Sequence, residues 1–115
     1  MFTKSDVEQL EAGFKEAKIA CKDIESFSVD HFYPEVIIEF MESLCNPPWV
    51  NFGYDPSEAQ TIVCGIATAS YDELRTVLTY ACRRERFCSG SWISTLNGEF
   101  FPSIILRLNE LLKES

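Results

Sequence analysis

The sequence predicts an all-α protein, a compact single-domain bundle of about five or six helices spanning residues 1–115. Three observations lead there. Apolar residues recur in steps of three and four, the period of an amphipathic helix and not the step of two of a strand. Capping boxes and prolines open these stretches, and Gly, Asn or Asn-Pro close them. The only piece with extended character is Trp49 to Phe52. A chain of 115 residues has room for one domain and buries roughly 65% of its extended surface.

The first helix opens at the capping box Ser5-Asp-Val-Glu8 and carries Val7, Leu10, Phe14, Ala17, Cys21 and Ile24 along one face. Residues 27–33 connect it to a second helix that starts at Pro34 and runs to about Cys45, presenting Ile37, Phe40, Met41 and Leu44. Proline suits a first helical position, and Asn46-Pro-Pro ends the helix because proline disfavours helical geometry at the residue before it. Trp49, Phe52 and Tyr54 belong to an aromatic turn that covers the end of the core. A short helix, Pro56 to Cys64, closes at Gly65. Ser70-Tyr-Asp-Glu73 is a second capping box; its helix buries Leu74, Val77, Leu78, Ala81 and Cys82 and runs to about Arg86. Ser91 to Leu96 forms a short helix ended by Asn97-Gly98. Pro102 to about Lys113 is the last, with Ile105, Leu108, Leu111 and Leu112 inward.

The formal charge of −8 disfavours generic binding to nucleic acid or to an anionic membrane. Its distribution is uneven. Residues 1–45 hold ten acids and four bases, whereas residues 83–115 hold four acids and five bases. The N-terminus has neither a basic segment nor an apolar one of the kind a leader requires, and no apolar run is long enough to span a bilayer. Five cysteines at irregular spacing read as thiols of a reducing compartment, so the cytoplasm is the expected location.

Metal chemistry finds no support: there is no CxxC and no HExxH, and His31 is the single histidine. Cys82, on the apolar side of its helix, reads as core. Neither a phosphate-binding glycine loop nor a distinct carboxylate pair stands out, and the sequence leans against an enzyme. No cofactor is expected. The chemistry-bearing stretch is Arg83-Arg-Glu-Arg86, three arginines in four residues at the end of the fourth helix, where the helix dipole favours positive charge. Arg83 and Arg86 share a face, and Arg75 lies two turns earlier near the same side. Their guanidiniums can grip carboxylates of the acidic helices as bidentate forks, or an anion from outside. Phe87 and Cys88 return to the core and Gly90 permits a sharp turn, so this corner has a structural account as well.

Leu78-Thr79, Arg83, Glu85-Arg-Phe-Cys88, Gly90, Gly98 and the run Ile105-Leu-Arg-Leu108, preceded by Trp49 in an aromatic segment, together resemble the bacterial DUF6508 domain family over roughly residues 49–112. That family has an acidic residue before the glycine and a histidine after it, where this chain has Ser89 and Ser91. The resemblance implies that the Arg-Phe-Cys-x-Gly corner is a shared feature; it implies no activity.

The expectation is therefore a small intracellular interaction or regulatory protein. Its partner is another protein or a second copy of itself, met through the acidic first two helices at Glu8, Glu11 and Glu39. The alternative is an anion or nucleic-acid binding module centred on Arg75, Arg83 and Arg86.

Overall fold

The computed structural model describes residues 2–22, 35–51, 53–84 and 91–114. Six α-helices run through them: α1 (Lys4–Lys22), α2 (Glu35–Ser43), α3 (Pro56–Val63), α4 (Tyr71–Arg84), α5 (Ser91–Asn97) and α6 (Phe100–Glu114). A 3₁₀ turn, Ile66–Thr68, sits between α3 and α4, and there is no strand among the described residues. The all-α expectation holds. Ile24, His31, Pro34, Phe52, Glu85, Arg86, Phe87, Cys88 and Gly90, to which the sequence reading gave roles, lie outside the described residues, as does the Arg84 side chain.

The start of α1 differs from the sequence expectation. Thr3 and Asp6, not Ser5 and Glu8, form the capping box: the Thr3 amide donates to Asp6 Oδ2 at 2.7 Å, and the Asp6 amide donates to Thr3 Oγ1 at 3.2 Å. The reason is Phe2. With Thr3 as the cap, Phe2 and Val7 occupy the two positions of a hydrophobic staple, and both are buried. Phe2 then meets Tyr71, with ring centroids 4.9 Å apart, and Trp49 at 6.0 Å.

Of the predicted stripe, Val7, Leu10, Phe14, Ala17 and Cys21 are buried, as are Ile37, Phe40 and Met41 on α2 and Leu44 just after it. The centre of the core is Phe101, which the sequence reading placed before its last helix. Helix α6 begins two residues earlier than expected, at Phe100. Phe101 thereby becomes fully buried between Phe14 (5.2 Å between centroids) and Phe40 (5.1 Å). Helices α1 and α2 cross at Gly13, where a Cβ would stand 2.8 Å from the Phe40 ring. That glycine is there to let a helix backbone approach an aromatic face.

Helix α4 packs against α3 and α5 and buries Leu74, Val77, Leu78 and Ala81. Its capping box is the expected one, with the Ser70 amide donating to Glu73 Oε1 at 3.0 Å and the Glu73 amide to Ser70 Oγ at 3.2 Å. It also buries two hydroxyls, Thr76 and Thr79. Those two hold the segment after α2 in place and set the geometry described next.

Candidate functional site

After α2 the Trp49 and Val50 amides turn back to the Asn46 carbonyl, at 2.9 and 3.2 Å, and one face of α4 binds other polar groups of residues 48–51. The Asn51 amide donates to Thr79 Oγ1 at 2.8 Å, and Asn51 Nδ2 to Thr76 Oγ1 at 2.9 Å. The Tyr71 hydroxyl donates to the Pro48 carbonyl. Arg75 completes the clamp: Nε donates to the Val50 carbonyl at 3.0 Å, Nη2 reaches the same oxygen, and Nη1 pairs with Asp72 at 3.0 Å. Its guanidinium also lies 5.5 Å from the Tyr71 ring centre. Burial pushes the Tyr71 phenol above its ordinary range, and the neighbouring Arg75 charge opposes that shift.

Arg83, two turns further along α4, lies over the Tyr54 ring, its guanidinium 5.2 Å from the ring centre. The Cys82 thiol is pushed up to about 12, first by desolvation and then by its contact with Cys45. Cys82 is half-buried, not a fully enclosed core residue.

A third arginine was missed by the sequence reading as a chemical group. Arg107 on α6 donates from Nε to the Ala69 carbonyl at 2.8 Å, at the end of the 3₁₀ turn, and pairs with Glu110 and Glu114 at 3.8 and 4.0 Å. Its side chain is only 14% exposed. The partners expected for the arginines were acids of the first helices. Among the described residues, no ion pair joins Arg75, Arg83 or Arg107 to α1 or α2. A planar fork of donors suits unpaired carbonyls of irregular backbone as well as it suits carboxylates.

The acidic side is elsewhere. Helices α1 and α2, which meet at Gly13 and Phe40, line an open groove of about 400 Å³ together with the turn after α2. Its floor is Leu10, Val36, Phe40 and Trp49 with Pro47 and Pro48, and its rim carries Asp6, Glu16 and Glu39 beside Gln9, Ser43 and Asn46. Of the acids singled out by sequence, Glu39 lines this groove. Glu8 and Glu11 do not: they occupy the opposite side of α1, where Glu11 pairs with Lys15 at 3.5 Å. The signal for the groove was present in the sequence. Asp6, Gln9, Gly13 and Glu16, spaced by three and four, form a polar stripe beside the apolar one, and Val36, Glu39 and Ser43 repeat the pattern on α2.

A family model described as "Family of unknown function (DUF6508)" matches residues 25–114, the larger part of the chain. The chain belongs to the DUF6508 family. No curated protein and no solved structure matches it. The match to DUF6508 begins earlier than the resemblance read from residues 49–112, and so takes in α2 as well as the clamp on residues 48–51. Helix α1 precedes the matched region. One wall of the groove is therefore formed by DUF6508 sequence and the other by a helix from outside it. No described helix is long and apolar enough to cross a membrane, and the described residues contain no cluster of three or more His, Cys, Asp or Glu able to hold a metal ion.

Proposed function

We propose that this protein is a binding module whose α1–α2 groove receives a basic segment of another protein, with an apolar side chain on the floor and Lys or Arg at the rim. The observation that carries this reading is the groove's composition: an aromatic and aliphatic floor inside a rim of Asp6, Glu16 and Glu39, in a chain of net charge −8. The apolar floor supplies area and the carboxylates supply orientation and rate of encounter. The groove lining offers carboxylates, amides and one serine hydroxyl, a set suited to recognition. The alternative reading as an anion site centred on the arginines is weakened by Arg75, whose donors go to Val50 and Asp72.

The test is a titration of labelled peptides in which Lys and Arg flank a single Phe or Leu, read by anisotropy and by the emission of Trp49. Charge reversal in the groove, Glu16→Lys with Glu39→Lys, should weaken binding by more than about tenfold at low salt. Glu8→Lys with Glu11→Lys makes the same change in net charge on the far side of α1 and should leave affinity within about twofold. Equal loss in both pairs would mean unspecific attraction to an acidic protein, and no binding by any such peptide would remove the proposal.

A further inference from the structure

Trp49 lines the groove and is only 6% exposed. Its ring lies against Phe2, and Phe2 in turn lies against Tyr71. Its amide is bonded to the Asn46 carbonyl, and the Tyr71 hydroxyl holds the carbonyl of the preceding residue, Pro48. Ring and backbone are thus fixed, yet the indole N–H has no acceptor among the described residues. Trp92 shows the contrast, since its Nε1 donates to the Cys82 carbonyl at 3.1 Å. A buried indole donor ordinarily finds a partner, and leaving one unpaired is costly. A second donor without an acceptor among the described residues is the Asn46 carboxamide, exposed on the rim of the same groove.

We infer that the basic segment received by the groove is an extended, proline-containing one in the polyproline II conformation, with a main-chain carbonyl accepting from the Trp49 indole N–H. This rests on the reading of the groove as a protein-binding site and specifies its partner. A polyproline II segment has no internal hydrogen bonds, so each carbonyl along it remains an acceptor. A helical segment satisfies its own carbonyls except in its last turn, and would leave the indole as it is. A β-strand docks by pairing with a sheet edge, and there is no strand among the described residues to offer one. Proline suits the floor as well: its rigid apolar ring can rest on Leu10, Val36 and Phe40, beside Pro47 and Pro48. A segment already ordered by its prolines loses less conformational entropy on docking. With about three residues per turn, basic residues spaced by about three share one side of such a segment. They can then meet the carboxylates of Glu16 and Glu39 at the rim while the prolines between them lie on the floor.

The experiment compares two labelled peptides of equal length and charge on the full-length protein. One carries prolines between its Arg, Lys and Leu residues; the other carries alanines in their place, which favour a helix. Binding is read by anisotropy and by the proton–nitrogen correlation signals of the tryptophan indoles. The proline peptide should bind at least about tenfold tighter. It should also move the Trp49 indole proton downfield and slow its exchange with solvent, while the Trp92 signal stays in place. These readouts need no variant, so a failure of folding cannot decide them. Trp49→Phe, which keeps a ring and removes the donor, should weaken the proline peptide about tenfold and the alanine peptide less. An unmoved Trp49 indole signal with the proline peptide bound would overturn the inference. Equal or tighter binding of the alanine peptide, still lost in Glu16→Lys with Glu39→Lys, would overturn it too and leave the groove reading standing. No binding of either peptide would overturn both.

Discussion

Replacing Arg75 decides between an arginine that holds the fold and an arginine that waits for a ligand. In Arg75→Ala the Val50 carbonyl loses both its N–H donors, and Val50 is only 3% exposed. A hydrogen bond from a charged donor is worth roughly 1.5–3 kcal/mol net, and an orphaned buried carbonyl costs about 1–3 kcal/mol; these describe the same loss from two sides and are not summed. The Asp72 pair adds at most about 0.5 kcal/mol, because that carboxylate is 80% exposed. The contact with Tyr71 contributes about 0.5 kcal/mol more. The total is about 3 kcal/mol, a large share of the stability of a small domain. In urea, with a slope of about 1.5 kcal/mol per molar, the midpoint should fall by about 2 M at unchanged slope. Arg75→Lys keeps the charge but cannot present two donors to one oxygen, and should lose about half as much. Asp72→Ala alone should change little. A midpoint shift in Arg75→Ala worth less than about 0.5 kcal/mol would refute the clamp and return Arg75 to the list of ligand-binding residues.

Thr79→Val leaves the Asn51 amide without its acceptor and should cost about 1–2 kcal/mol in the same assay. Gly13→Ala sets a helix-propensity gain of about 1 kcal/mol against a Cβ 2.8 Å from a Phe40 ring that packs on Phe14 and Phe101. Overpacking costs about 1–3 kcal/mol, so the net effect should be a loss, and a gain in thermal midpoint would contradict the close crossing of α1 and α2. The Cys82 thiol ionises near 9 when unfolded and at about 12 when folded. Above pH 9 the unfolded chain therefore holds fewer protons, so stability is full below pH 9 and falls as pH rises toward 12. Urea midpoints at pH 8 and pH 10.5 should show that fall in the wild type and a smaller one in Cys82→Ala.

Much of the fold was legible because helix periodicity survives without knowledge of neighbours. The stripe from Val7 to Cys21, the set Ile37, Phe40, Met41 and Leu44, and the Ser70 capping box all stand where the pattern puts them. The start of α1 was not legible, since Thr3-x-x-Asp6 and Ser5-x-x-Glu8 are equally good boxes. Burial of Phe2 against Trp49 and Tyr71, contacts 47 and 69 residues away in sequence, selects between them. Pro102 misled in the same way. It reads as the first residue of a helix, but it is equally tolerated elsewhere in the first turn, and starting at Phe100 lets Phe101 fill the core. The site was half legible. Acids on the first helices could be counted, but which of them share a groove depends on the crossing at Gly13, a tertiary fact.

The arginines explain why a moderately acidic sequence presents so acidic a groove. An all-helical chain of this size has several irregular joints, and each leaves carbonyls that the helices cannot satisfy. Arg75 serves the joint after α2 and Arg107 the joint before α4, each through Nε to a main-chain oxygen 25 to 38 residues away. Arg83 lies over the Tyr54 ring. These cations are spent on backbone and on a ring, on the α4 and α6 side of the molecule. The carboxylates of Glu16 and Glu39 are exposed and that of Asp6 caps α1 at the same rim, with none of those guanidiniums in ion-pair contact with them. The local field in the groove is then more negative than the net charge alone implies, which is the condition for steering a basic segment into it. It follows that neutralising an inward arginine should lower stability and leave peptide affinity unchanged in the protein that remains folded. Neutralising Glu39 should do the reverse.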